Sequence, residues 1–391
     1  MDKKIFDLIK KEEKRQKSVI NLIPSENYVS KDVLKALGSI FDNKYAEGYP
    51  KARYYGGQEN TDALELLCQE RAIKLFKLPK DDWAVNVQPL SGSPANLAVY
   101  FALVPSKGKI MGLPLVSGGH LTHGHKVSIT GKFWEQIPIT LDPKTELIDY
   151  KKMREDAVRE KPAIIVVGFT AYPRVVNFRE VRSIADDCGA LMMVDMSHLS
   201  GLVAGEAYPT PFDFADVVTT TTHKTLRGPR GAMIFSRTDK RELNKKIDKA
   251  VFPGLQGGPH MSQIAGIAVA LKEADSKEFK NYAKQVVKNA KVLADTLSDL
   301  GWRVISGGTD SHLVLVDTWM DGAGLPGKDA EALLEKHGII CNKNTIPNES
   351  RSPFDPSGIR LGTPAETTRG NRERGFKLIA EKIDKVLRKK R

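Results

Sequence analysis

Short strand-forming runs alternate with stretches of helical spacing across residues 84–236, and this alternation limits the fold more than any other feature of the chain. Residues 84–88 (AVNVQ) read as a buried strand, and further strand runs are Lys109–Gly112, 163–169, Leu191–Asp195, 217–220 and 232–236. The first is followed by the small-residue turn Ser91, Gly92, Ser93 and an apolar helix over 95–104, and Phe178–Cys188 carries its apolar residues on one face. Strands that are apolar nearly throughout need cover on both faces. The pattern therefore predicts an α/β chain with a mostly parallel sheet under helices.

After PGLQGGP (253–259) the spacing changes to long helices over 263–274 and 279–300. Strands over 303–306 and 312–316, a helix over 328–337, a strand near Ile339 and a C-terminal amphipathic helix follow. In that last helix Phe376, Ile379, Ile383, Val386 and Leu387 share a face. A chain of 391 residues exceeds one ordinary core. The expected organisation is an N-terminal arm (1–35), a large domain (36–260), and connecting helices with a small α+β C-terminal domain (261–391).

Composition excludes several classes. With 41% hydrophobic and 7% aromatic residues the chain is not disordered as a whole. The net charge of +12 would attract polyanions. The basic residues are spread out, however, apart from 240–249 and the tail Arg388, Lys389, Lys390, Arg391, and no RRM, helix-turn-helix or zinc-finger pattern accompanies them. Nucleic acid is not an expected partner. The N-terminal segment is charged without an uninterrupted apolar stretch, and nothing later approaches the roughly 20 apolar residues that span a bilayer. The expectation is a cytoplasmic protein with no membrane partner. Cys68, Cys188 and Cys341 are far apart and lack metal-site neighbours, so they are expected as buried reduced thiols, with no metal.

The run DVVTTTTHKTLRGPRGA (216–232) leaves a strand, places Lys224 in a polar loop and ends in a glycine-rich turn. A lysine preceded by threonines and His223 can be partly desolvated and its pKa lowered, as a Schiff-base lysine requires. A loop lysine on its own is ordinarily solvated. Asp195 closes the strand LMMVD, at the end where parallel sheets form their ligand crevice. A carboxylate there can hold a pyridinium nitrogen protonated, and can equally cap a helix or close a turn. Ser91, Gly92 and Ser93 supply hydroxyls and free backbone N–H groups for a phosphate, though the same tripeptide is common in turns. Together the three describe a pyridoxal-phosphate site.

These segments carry a family resemblance. VVTTTTHKTLRGPRGA (217–232) resembles the lysine segment of serine hydroxymethyltransferases. So do NKYAEGYP (43–50), RYYGG (53–57), SGSPAN (91–96), SGGHLTHG (117–124), VDMSHLSGLVAG (194–205), VFPGLQGGP (251–259), GGTDSHL (307–313), NKNTIPN (342–348) and SGIRLGTPA (357–365), in family order. The resemblance implies a fold type I pyridoxal-phosphate transferase that moves the hydroxymethyl carbon of serine to tetrahydrofolate, leaving glycine. The related alternative is another enzyme of the same fold, such as a threonine aldolase.

Residue by residue, the resemblance implies that Lys224 carries pyridoxal 5'-phosphate, Asp195 pairs with its ring nitrogen and His120 stacks on the ring. Ser91, Gly92 and Ser93 would hold the phosphate, with Tyr45, Gly257 and Gly258 reaching it from a neighbouring subunit. Thr170 and His198 would lie at the phenolic-oxygen side, and Thr221, His223 and Arg230 around the lysine. Arg360 would grip the substrate carboxylate with Ser25 and Tyr55, and Glu47 would transfer protons, with Tyr54 close by. Folate would lie along Leu115, Gly119, Leu121, Asn344, Ser352, Pro353 and Phe354. Shared sites imply a homodimer or a dimer of dimers. Without the motifs, His120 and His198 read rather as satisfied structural histidines and Tyr54 and Tyr55 as packing residues. The chain departs from the family pattern at Leu90, where His or Tyr is usual, at Thr170, where Ser is usual, and at Glu366, where an apolar residue is common.

Overall fold

The structure is a computed structural model that describes Asp2 to Arg388; the basic tail Lys389, Lys390 and Arg391 lies outside the described residues. The chain divides into two compact units, one spanning Asn27–Lys284 and one formed by the residues up to Glu26 with those from Gln285 onward. The joints thus fall at Glu26–Asn27 and Lys284–Gln285, whereas sequence spacing suggested 35–36 and 260–261. The helix Met261–Ala274 lies wholly in the larger unit, because ten of its residues are buried, and it packs on the helices Lys31–Leu37 and Glu59–Leu75 of the same unit.

The larger unit is built on a seven-stranded sheet. Its order is Trp83–Asn86, Ala232–Arg237, Val217–Thr221, Leu191–Asp195, Ile164–Val167, Lys109–Gly112, Glu135–Pro138. From Val217–Thr221 to Glu135–Pro138 all neighbours are parallel, and only Ala232–Arg237 runs against both of its neighbours. The interior strand Ile164–Val167 is buried at every position, as a sheet covered on both faces requires. Against it packs a core containing Tyr100, Ile110, Trp134, Val166, Met193, Val217 and Ile234.

Several elements were not anticipated, among them the helix Glu59–Leu75 and two within the span of the large sheet. Glu135–Pro138 is a mixed sequence that pairs on one side only, and its Pro138 is tolerated because an edge strand has a free side. The helix Tyr150–Glu160 is mostly charged and buries only Met153, Asp156 and Ala157.

In the smaller unit the helix Lys3–Ser18 is capped by Asp2, and Ile20–Asn21 pairs in parallel with Ile339–Ile340. A four-stranded antiparallel sheet follows the order Arg303–Val304, Leu313–Asp317, Gly358–Gly362, Asn342–Asn344. The apolar stripe of Glu373–Arg388, including Phe376, Ile379, Ile383, Val386 and Leu387, buries against Val314, Val316, Ile359 and Leu361. Cys68 and Cys341 are buried free thiols, and burial pushes Cys341 up to about 12. Cys188 is also free but half-buried, contrary to expectation, because it sits in the last turn of an amphipathic helix. Among the described residues no helix is long and apolar enough to cross a membrane.

Candidate active site

The carboxyl ends of parallel strands in the larger unit gather most of the singled-out residues. Asp195 ends its strand buried, and its Oδ2 accepts from Asn96 Nδ2 (2.8 Å) and His123 Nε2 (3.3 Å) while Oδ1 accepts from the Ser197 amide (3.1 Å). Burial works to raise its pKa. The His123 hydrogen bond and charge, the His120 charge and a hydrogen bond from Ser197 outweigh that, so the carboxyl stays well below the usual range. An ionised carboxylate has about four lone-pair sites, and these bonds leave one on Oδ1 for a further donor.

The neighbours of Asp195 are fixed in turn. Thr219 donates to Asn96 Oδ1 (2.7 Å), which sets the amide so that its nitrogen faces Asp195 and Thr122. Thr122 Oγ1 accepts from Asn96 (2.9 Å) and so gives its own proton to His120 Nδ1 (2.7 Å). That leaves the proton of a neutral His120 on Nε2. Burial, then the charges of His123 and Lys224, pull the His120 pKa down to about 4.

Lys224 follows the adjacent strand Val217–Thr221 and is only 9% exposed, so the loop predicted as polar is in fact interior. The turn that holds it is cross-braced. Thr222 Oγ1 donates to Pro229 O (2.6 Å), Gly228 N donates to Thr222 O (2.7 Å), and Thr225 Oγ1 donates to His198 O (3.0 Å). Thr221 N donates to Ser197 Oγ (3.0 Å), tying this strand end to that of Asp195. Arg230 donates to His223 Nε2 (3.2 Å), and burial, then the Lys224 and Arg230 charges, pull His223 down to about 3. The His223 Nδ1 proton is buried without a partner.

At the start of Gly92–Leu103, Ser91 is extended (φ −165°) and its side chain does not cap the helix, so the hydroxyl is available beside the first free amides. A Cβ on Gly92 would come within 2.7 Å of Thr221 Cγ2, which makes glycine the residue that keeps this cradle open. Thr170 Oγ1 lies 3.2 Å from the carbonyls of Gly118 and Gly119, bracing the loop that leads to His120. In the smaller unit Arg360 sits mid-strand, donating from Nε to Asn342 Oδ1 (3.1 Å). Burial pulls its pKa down to about 10, which leaves it cationic at neutral pH.

A buried lysine, an anionic carboxylate with a spare lone pair, an orphaned donor on His223 and an open helix start fit pyridoxal phosphate by chemistry. The model of the serine hydroxymethyltransferase family matches residues 1–383. A serine hydroxymethyltransferase of Caenorhabditis elegans is 51% identical over 98% of this chain and 78% of its own length. A Saccharomyces cerevisiae relative named as the cytosolic enzyme is 48% identical over 99% of this chain and 85% of its own. A Neurospora crassa relative named as mitochondrial is 50% identical over 99% and 74%. The chain belongs to the serine hydroxymethyltransferase family.

Serine hydroxymethyltransferases are pyridoxal-phosphate enzymes of fold type I, and the large mostly parallel sheet has that form. A second group of singled-out residues gathers elsewhere in the larger unit. Tyr45 OH donates to Glu47 Oε1 (3.4 Å) and Tyr55 OH to Oε2 (3.5 Å), the two rings meet edge-on at 5.4 Å, and Gly258 lies against the Tyr45 ring. Gly257 faces Glu47 Oε1, and Tyr54, 73% exposed, meets Phe252 edge-on at 5.7 Å. Among the described residues no hydrogen bond or ring contact joins Tyr45, Glu47 or Tyr55 to Asp195 or His120.

The residues expected along folate divide between the units. Leu115, Gly119 and the exposed Leu121 belong to the larger, and Asn344, Ser352, Pro353 and Phe354 to the smaller, where Phe354 is 86% exposed. Asn344 Nδ2 is occupied by Thr345 O (2.7 Å). Ser25, half-buried, lies in the turn that follows Ile20–Asn21. Four residues that hold the site together were not singled out from sequence: Asn96, Thr122, His123 and Ser197. All lie inside the quoted motifs SGSPAN, SGGHLTHG and VDMSHLSGLVAG, and Asn96 lies on the turn of helix that opens at the predicted cradle. That spacing was the available signal.

Proposed function

We propose that this chain is a glycine hydroxymethyltransferase that transfers the hydroxymethyl carbon of serine to tetrahydrofolate, reversibly, giving glycine and 5,10-methylenetetrahydrofolate with pyridoxal 5'-phosphate as cofactor. The observation that carries the reading is the buried, anionic Asp195 on the strand next to the one that delivers buried Lys224. When bound, the pyridinium ring supplies the electron sink for breaking the bond between Cα and Cβ of serine.

The protein's own residues do the rest. Lys224 Nζ is the amine that would hold the cofactor. Asp195 Oδ1 accepts the ring N–H and keeps that proton in place, while His123 and Asn96 prevent the carboxylate from turning away. Ser91, Gly92 and Ser93, with Tyr45, Gly257 and Gly258, hold the phosphate. Neutral His120 offers its face to the ring without adding a competing charge. Thr170 and His198 lie at the phenolic-oxygen side of the cofactor, and Thr221, His223 and Arg230 surround the lysine. Arg360, with Ser25 and Tyr55, binds the substrate carboxylate, and Glu47, with Tyr54 close by, takes and returns the serine hydroxyl proton. Folate binds along Leu115, Gly119, Leu121, Asn344, Ser352, Pro353 and Phe354.

The active form in this reading is a homodimer, or a dimer of dimers, in which Tyr45, Glu47, Tyr54 and Tyr55 complete the partner's site. The exposure of the three tyrosines on the isolated chain, with Glu47 half-buried among them, supports this. The cytoplasm is the proposed compartment, supported by the cytosolic name of the yeast relative. The test is serine-to-glycine conversion by purified protein with and without tetrahydrofolate. Turnover that requires folate is expected, and cleavage of 3-hydroxy amino acids with no folate-dependent serine turnover would replace the reading with an aldolase.

A further inference from the structure

Glu366 departs from the family pattern by placing an acid where an apolar residue is common, and the structure gives it specific work. It is 3% exposed, and a buried carboxylate is costly unless its oxygens are engaged. Oε1 accepts from the Asn21 amide (2.9 Å) and Arg369 Nη1 (2.9 Å), and Oε2 accepts from Asn371 Nδ2 (2.8 Å). Arg369 also donates to Val19 O (2.6 Å) and to Gln16 O. An acid near the C-terminus thereby holds the segment that leaves the N-terminal helix.

Asn21 organises the turn that follows. The amides of Ile20 and Leu22 bond to Gly338 O and Ile340 O, so the strand is paired on that side, and the Asn21 amide points the other way, to Glu366. The Asn21 side chain donates to Glu26 Oε2 (2.8 Å) and accepts from the Ile23 amide (3.0 Å), closing a loop around Pro24 and Ser25. Leu22 O accepts from Gly362 N (2.7 Å), and a Cβ on Gly362 would come within 2.4 Å of Pro24 Cα. Gly362 ends the strand that carries Arg360.

We infer that Glu366 is a positioning residue for the amino-acid substrate: by pinning Asn21 it fixes where the Ser25 turn sits against the Arg360 strand, and so sets how tightly the substrate carboxylate is held. The inference rests on the reading that Arg360 and Ser25 bind that carboxylate. An apolar side chain at 366 offers no acceptor to Asn21, Arg369 or Asn371, whereas Glu366→Gln keeps one for Asn21.

The test uses the cofactor-loaded enzyme and the variants Glu366→Leu, Glu366→Gln and Arg360→Lys. It follows glycine Kd by calorimetry, serine KM and kcat, cofactor stoichiometry, and amide exchange over residues 20–26. Glu366→Leu is expected to raise glycine Kd and serine KM about tenfold, with kcat within about twofold, unchanged cofactor content and faster exchange at Asn21 and Ile23. Glu366→Gln should lose less than half of that affinity. Faster exchange with unmoved Kd and KM, or equal falls in kcat and kcat/KM, overturns the positioning role. Should Glu366→Leu not fold, an unchanged glycine Kd in Glu366→Gln overturns it equally. An unaltered glycine Kd in Arg360→Lys instead refutes the carboxylate reading beneath it.

Discussion

At Asp195 burial and hydrogen bonding pull in opposite directions, and bonding wins. Asp195→Asn keeps an acceptor for Asn96 and His123 but removes the charge. Opposite charges about 4 Å apart at an effective dielectric of about 20 attract by roughly 4 kcal/mol, on the order of a thousandfold. A fall of that order in kcat/KM is expected, with a somewhat lower Tm because the new amide nitrogen faces the Ser197 N–H, and a fall below about tenfold, or ~1.4 kcal/mol, would assign the ring nitrogen another partner. The two depressed histidines give a pH prediction. His120 at about 4 and His223 at about 3 stay neutral in the fold, while in the unfolded chain they titrate near 6.5. Below about pH 6.5 the unfolded state therefore binds more protons, and stability falls as pH drops until the folded histidines titrate in turn. Urea midpoints measured from pH 7 to pH 4.5 should show this slope in the parent and a flatter one in His120→Gln and His223→Gln. Equal slopes would remove both histidines from the acid response.

At the level of elements, the site is a meeting of ends: the carboxyl ends of Leu191–Asp195 and Val217–Thr221 and the amino end of Gly92–Leu103. The closest approach is between Gly92 and Thr221, where a Cβ would fall 2.7 Å from Cγ2 and the next atom is Ser197 Oγ at 3.8 Å. Overpacking of this kind costs typically 1–3 kcal/mol, and here one methyl group causes it. Gly92→Ala should weaken pyridoxal-phosphate binding by about tenfold in equilibrium dialysis, and Thr221→Ser in the same chain should restore most of it. No recovery in the double variant would mean that the amides themselves, rather than the space between the elements, had been displaced. Sequence spacing located these ends well because buried parallel strands are apolar throughout and glycine-serine turns break them cleanly. It missed Glu135–Pro138 and Tyr150–Glu160 because an edge strand and a solvent-facing helix need bury little.

Across the whole molecule, Tyr45, Tyr54 and Tyr55 stand exposed with Glu47 half-buried beside them, and, among the described residues, none of the four has a hydrogen bond or ring contact to Asp195 or His120. If partner chains complete one another, Lys224→Ala and Glu47→Gln should complement, since a mixed dimer holds one site built entirely from unaltered residues. Two nearly inactive homodimers, co-refolded in equal amounts, should regain about a quarter of parent activity in folate-dependent serine turnover. Activity no higher than the sum of the parts would place Glu47 in its own chain's site. By itself the sequence determined the α/β pattern, the strand ends that carry Asp195 and lead to Lys224, the turn at Ser91 to Ser93 that opens a helix and, through its ordered motifs, the family. These depend on local chemistry and on the hydrophobic period, both written in consecutive residues. Only the tertiary structure decided that Lys224 is interior, that Asn96, Thr122 and His123 aim the Asp195 carboxylate, and that Glu366 reaches Asn21 across 345 positions of chain. Burial and hydrogen-bond partnership belong to pairs of residues brought together by folding, and no single position in the sequence carries them.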